Sequence, residues 1–198
     1  MSRLVVAITG ATGSMYGIRL LEVLRHYGEL ETHLVVSRPG KRTLVEETDW
    51  SVAEVEALAT HRYDNNDVGA SIASGSFRTA GMVIAPCSIK TASAVASCHS
   101  ENLIARAADV TLKEGRPLIM LVRETPLHVG HLKCMLALAE MGAVVLPPMP
   151  AFYNRPRDLD DIVNHTVARV LDRLGLPQTL VPEWRGTHPR ISTGPLGA

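Results

Sequence analysis

The sequence has little that would commit it to a disulfide framework, a metal scaffold or a membrane. Its three cysteines (Cys87, Cys98, Cys134) are odd in number and lack metal-ligand spacing, which favours a reducing compartment. Acidic and basic side chains balance at 20 each, so no overall charge points to nucleic acid or an anionic surface, although a local patch survives a zero total. No apolar run approaches about 18 residues, the length expected of a spanning helix. The opening MSRLVVAITG has too short an apolar stretch for a secretory signal and reads as going directly into the fold. These absences predict a cytoplasmic protein, and 198 residues suit one α/β domain with a substantial core.

What is present is a strand–helix alternation. Five nearly continuous apolar runs stand out: LVVAIT (4–9), THLVVS (32–37), MVIAPCS (82–88), PLIMLVRE (117–124) and AVVLPP (143–148). Such runs suit parallel strands covered on both faces. Between and after them lie helical patterns in GIRLLEVLRHYG, which would end at Gly28, in HLKCMLALAEMGA, and in DLDDIVNHTVARVLDRLG, which stops at Gly175. The expected fold is therefore a single-domain, doubly wound, mainly parallel α/β sheet, flavodoxin-like or Rossmann-like, with helices on both faces. Residues 50–80 are less regular, with a short helix in SVAEVEALA. Residues 1–176 form the expected domain, and the Pro/Gly-rich 177–198 read as an extended tail that is mobile or docks on a neighbour.

The stretch ITGATGSMYG (8–17) puts a glycine-rich turn between the first strand and a helix, a natural anion site. A nucleoside-triphosphate loop is excluded because its Gly-Lys-Ser/Thr ending is missing. The glycines at 10, 13 and 17 depart from the dinucleotide pattern, and strand 2 ends in Ser37-Arg38 rather than an acid. An NADP site using Arg38, and a turn that is only a connector, stay open. APCSIKTASA (85–94) repeats the strand-end, helix-start arrangement. In a flavodoxin-like order these two loops share one crevice, gathering Thr12, Ser88 and Thr91, with Ser37 on the same edge, around one small anion. That favours a mononucleotide, although Ser88 alone would read as an N-cap. Arg123 and Glu124 end a long apolar strand, where charge is costly unless paired or functional. DLDDIVN reads as helix capping rather than a metal motif, and HVGH (128–131) as a cap region despite its spacing.

Taken together, TGATGSMYGIRLLEVL, ETD (47–49), PCSIKTASAVA, NLIARAADVTLKEGRPLIMLVRETPLH and GAVVLPPMPAFYNRP resemble the flavin prenyltransferase family, the UbiX-like proteins, from about residue 3 to 175. The resemblance implies that reduced FMN is bound and prenylated at N5 and C6 by a dimethylallyl group from dimethylallyl phosphate, without metal, to supply a UbiD-type decarboxylase. It assigns FMN to Gly10, Ala11, Thr12, Ser37, Ser88, Ile89, Lys90, Thr91 and Arg123. Thr12 departs from the serine common in the family, which bears on fine geometry. The prenyl donor falls to Tyr153 and Arg169, with Arg106 and Lys113 assisting against the leaving phosphate and Glu47 and Glu124 as proton relays. The spacing of Arg106 and Lys113 also fits an exposed ladder of salt bridges. The resemblance further implies a homo-oligomer, often a dodecamer, with active sites shared between subunits. Two alternatives are an FMN-dependent aromatic acid decarboxylase and a non-catalytic FMN carrier.

Overall fold

Strands near the centre of the sheet are apolar on both faces because both faces are covered. In the computed structural model, which describes residues 2–183, the strands are β1 (Ser2–Ile8), β2 (Leu30–Val36), β3 (His61–Tyr63), β4 (Gly81–Cys87), β5 (Leu118–Val122) and β6 (Val144–Val145). All pair in parallel, in the order β3-β2-β1-β4-β5-β6. The helices are α1 (Ser14–Leu24), α2 (Arg38–Glu47), α3 (Val52–Glu56), α4 (Ile89–Ala96), α5 (Leu103–Lys113), α6 (Val129–Glu140) and α7 (Leu159–Arg173). Along β1, Leu4, Val6 and Ile8 pack into one core with α1, α2, α3 and α7, while Val5 and Ala7 pack into a second with α4, α5 and α6. Strand side chains alternate between faces, so each layer takes every other residue.

The five expected strands all form, in the expected neighbour order. β3 is an addition: three residues, HRY, with no buried member, and hence no apolar pattern to reveal it. It pairs with β2 at the sheet edge, which turns the five-strand order into the six-strand Rossmann order. α1 also differs from expectation. It ends at Leu24, four residues before Gly28, because the N–H groups of His26 and Tyr27 tighten onto the carbonyls of Val23 and Leu24. Gly175 does follow α7 in the left-handed conformation at φ 69°, which lets the chain leave the helix.

The switch point lies where β1 sits between β2 and β4. Two close approaches build it. Gly13 turns the chain into α1 at φ 100°, a left-handed conformation that favours glycine. A Cβ on Gly17 would lie 2.2 Å from the Ala85 carbonyl oxygen, so glycine lets α1 lie directly on β4. Expected tail residues 177–183 continue past α7, where Gln178 exchanges hydrogen bonds with Val181; the tail beyond 183 lies outside the described residues.

Candidate active site

The carboxyl ends of β2 and β4 open on one crevice of about 310 Å³, lined by Ser37, Pro39, Asn65, Ser88, Lys90, Thr91, Asn102 and neighbours but by no residue of the turn after β1. Each polar group is set by local chain geometry. Ser37 caps α2, its Oγ accepting from Gly40 N at 3.1 Å. Ser88 caps α4, accepting from Thr91 N at 3.3 Å, with the two hydroxyl oxygens 3.2 Å apart. A hydroxyl that accepts a backbone N–H still has its own proton to donate, so the cap role of Ser88 and a ligand role coexist. Thr9 fixes the alignment of the two loops: its Oγ1 donates to the Pro86 carbonyl and accepts from Ser88 N, both at 2.8 Å. Lys90 is exposed at the rim, and the first N–H groups of α4 have no intrahelical partners. Hydroxyls, a helix start and an ammonium group make a site chemically suited to a phosphate monoester.

Gly10, Ala11 and Thr12 form the turn between β1 and α1, with Ala11 buried and Thr12 exposed. The N–H groups of Gly13 and Ser14, at the start of α1, are already held by Glu47 Oε2 at 2.9 and 3.1 Å. A carboxylate at a helix start complements its partial positive charge, so a second anion there meets repulsion. The structure thus gives the phosphate-like environment to Ser37, Ser88, Ile89, Lys90 and Thr91 more fully than to the first turn. Ser14 Oγ is buried without a hydrogen-bond partner, a polar atom that no local residue pattern marks.

A second polar region surrounds α7. One cavity of about 540 Å³ is lined by Tyr153, His165, Arg169, Asp172, Gln178 and Glu183 among others. A smaller one of about 260 Å³ shares His165 and Arg169 and adds Arg173, with Val144, Val145, Leu146, Pro147 and Met149 as an apolar wall. Arg169 Nη1 donates to Asp172 Oδ2 at 2.8 Å, which leaves other guanidinium N–H groups for an anion. Tyr153 Oη and His165 Nε2 lie 3.2 Å apart. Burial, helped by the Arg169 charge and opposed by Asp172, holds His165 below the usual imidazole pKa. His165 and Arg173 were not anticipated, since on an amphipathic helix they look like ordinary surface residues. Met149 is exposed.

Tyr16 and Arg123 connect the two regions. Tyr16 projects from α1, hydrogen-bonds Thr166 of α7 and feels the Arg123 charge; both favour its phenolate, but burial outweighs them and raises its pKa. Arg123 leaves β5 exposed, its N–H held by the Cys87 carbonyl at 3.0 Å. Glu124 Oε1 accepts from Thr125 N at 3.1 Å.

Arg106 and Lys113 are not brought into either cavity of their own chain. Arg106 Nε donates to the Ala73 carbonyl and its Nη1 pairs with Asp109 at 2.9 Å. Lys113 ends α5, at the amino edge of the sheet, and pairs with Glu114. Within one chain these contacts are the salt-bridge ladder that their spacing suggested. Asp158 caps α7 by accepting from Asp161 N at 2.9 Å, and His128 caps α6 through Nδ1, as both motifs were read. Cys87 is fully buried and burial raises its thiol pKa, so it is a packed residue. Among the described residues no helix is long and apolar enough to cross a membrane.

Comparison with known proteins gives the geometry its context. Residues 1–171 match the family model described as Flavoprotein. The chain is 56% identical over 188 residues to the flavin prenyltransferase UbiX of Escherichia coli K12, covering 94% of this chain and all of that one. A probable UbiX-like flavin prenyltransferase of Bacillus subtilis is 50% identical over 184 residues, covering 93% of this chain and 90% of that one. Among solved structures, AnUbiX (PadA1) in complex with FMN and dimethylallyl pyrophosphate superposes with a TM-score of 0.92 at 44% identity, over 94% of this chain and 99% of that one. A dodecameric FMN-dependent UbiX-like decarboxylase from Escherichia coli O157:H7 superposes at 0.91 with 49% identity, over 93% of this chain and all of that one. The peptidyl-cysteine decarboxylase EpiD, at 14% identity and a TM-score of 0.63, shares the fold.

Proposed function

The chain belongs to the flavoprotein family, and on that premise we propose that it acts as a flavin prenyltransferase, joining a dimethylallyl group to N5 and C6 of reduced FMN. The observation that carries this reading is the pairing of a hydroxyl-lined crevice at the switch point with a separate cavity having both cationic and apolar walls. The crevice suits the flavin phosphate, because Ser37, Ser88, Thr91 and Lys90 offer donors around a volume fit for a mononucleotide end. The α7 cavity suits a prenyl phosphate: Arg169 and Arg173 face the anion, and Val145, Leu146, Pro147 and Met149 the hydrocarbon.

Reduced flavin, when bound, supplies the electron-rich N5 and C6 that accept the prenyl carbon. The chain supplies position and charge. Breaking the allylic C–O bond leaves charge on the departing phosphate, and Arg169 with the Tyr153 hydroxyl is placed to take it. Arg123, close enough to Tyr16 to be felt by its phenol, is the cation that would hold negative charge at the flavin ring edge. Glu47, anchored by two backbone N–H groups, and Glu124 are the carboxylates in reach of a proton-relay role. The Asp-rich DLDDIVN stretch opens α7, with Asp158 as its cap and Asp160 and Asp161 in its first turn, where acids suit the helix dipole.

Arg106 and Lys113 enter through assembly. α6 exposes Val129, Leu132 and Leu136, an apolar surface that a second copy of the chain would cover, and a relative is dodecameric. In a homo-oligomer these two cations serve a neighbouring copy's phosphate. Product passes to a UbiD-type decarboxylase, and the protein works in the cytoplasm. Residues 1–176 are the FMN-binding domain and 177–198 a tail.

Anaerobic incubation of the protein with reduced FMN and dimethylallyl phosphate, with the diphosphate run in parallel, tests the reading by mass spectrometry of the extracted flavin. A flavin heavier by one prenyl unit is expected. Unmodified flavin despite tight binding overturns it and leaves a carrier. Two of the solved neighbours at 39% identity or more have decarboxylase in their names; carbon dioxide released from an aromatic acid by this chain alone would favour that second reading.

A further inference from the structure

We propose that Glu31, His33 and His61 form a binding site for a single divalent transition-metal ion, Zn²⁺ foremost, on the edge strands β2 and β3. One ligand atom from each residue lies within 4.8 Å of the others. The arrangement is a consequence of strand geometry. Glu31 and His33 are two apart on β2 and so share a face, and His33 is the register partner of His61 on β3. The two imidazoles stack with centroids 4.7 Å apart.

An independent feature points to a ligand. His33 is 2% exposed, yet its Nε2 is buried without any hydrogen-bond partner; the nearest Glu31 oxygen is 3.9 Å away. A buried polar atom left unpaired is costly and rare. The other nitrogen is already committed: Nδ1 is 2.9 Å from Tyr63 Oη, which is 3.0 Å from Ser71 Oγ. With the proton on Nδ1, this chain fixes the ring and presents the Nε2 lone pair to the cluster. That is the supporting shell usual around a metal-bound histidine.

Two imidazoles and a carboxylate suit Zn²⁺ and its neighbours in the transition series, with water completing the shell. Side-chain rotation must close the ligand atoms by roughly 1 Å to reach bond lengths near 2 Å. Arg3 opposes the ion: it pairs with Glu31 Oε2 at 3.1 Å and stacks on Phe77. Binding therefore requires Glu31 to shift its charge from Arg3 to the metal. The ion would clip β3, held by three residue pairs, onto β2, at the amino half of the sheet and away from the flavin crevice.

Chelator-treated full-length protein titrated with Co²⁺, followed by visible d–d absorption and reversed by Zn²⁺, tests the site. One Co²⁺ per chain is expected, bound at least about tenfold more weakly by His61→Ala and by Glu31→Gln. His61 is exposed, so its loss leaves the fold intact. His128 and His131 lie with ring centroids 3.6 Å apart, tilted by 32°, and are the rival cobalt ligands, so His131→Ala is the control and should bind as the parent does. Absence of uptake, equal affinity in His61→Ala, or loss of uptake in His131→Ala would each overturn the proposal.

Discussion

The switch-point crevice and the α7 cavities both suit phosphate, but they are built from different materials. In the crevice the donors are hydroxyls and backbone N–H groups fixed by caps: Ser37 on α2 and Ser88 on α4, with Thr9 locking the loops together. Around α7 the donors are long side chains, Arg169 and Arg173, on the exposed face of the helix, with half-buried His165 beside them. Preorganised dipoles recognise an anion that stays. Mobile full charges suit one whose charge grows during reaction. On the proposed function, the first region would hold the resident flavin phosphate and the second the departing one.

The sharpest way to break this contrast is Arg169→Ala. Prenyl transfer should fall by about 10²–10³-fold while flavin affinity is unchanged, as read by single-turnover kinetics and flavin titration; parallel loss of both would merge the two regions into one. Next in size is Gly17→Ala. Its Cβ would meet the Ala85 carbonyl at 2.2 Å, so α1 must move off β4 at a cost of about 1–3 kcal/mol, measured by urea unfolding, with flavin binding disturbed more than donor binding. Ser88→Ala removes a cap and a crevice donor together and should weaken FMN by about fivefold, roughly 1 kcal/mol, with the donor KM unmoved. The smallest effect is electrostatic. Because burial depresses the His165 pKa, its ring takes up a proton only as the pH falls below the usual imidazole range. Acidification then adds positive charge beside Arg169, and the donor KM should drop about two- to fivefold relative to His165→Gln at the same pH. A pH profile identical in the two proteins would remove His165 from the site.

The same division governs what could be read from the chain. Central strands announce themselves by apolar runs, and the two helix-starting loops by glycine, serine and threonine, so the crevice follows from sequence and strand order. β3 could not be seen, since an exposed three-residue edge strand has no pattern to show. Nor could the grip of Glu47 on the start of α1, which joins residues 34 positions apart through packing alone. Arg169 looked like any solvated arginine because cations on a helix exterior are alike until the fold sets Tyr153 and an apolar wall beside them. Arg106 and Lys113 teach the reverse: their helical spacing was legible, and within one chain they pair with Asp109 and Glu114, outside both cavities. A Leu132→Glu, Leu136→Glu double variant should sediment as smaller species and lose prenyl transfer.

Calorimetric titration of dimethylallyl phosphate into FMN-loaded protein under anaerobic, non-turnover conditions, with free flavin monitored by fluorescence, tests the two-phosphate account most directly. The account predicts donor binding at one site per chain with the flavin retained. Release of one FMN for each donor bound would mean a single shared phosphate site and would contradict it.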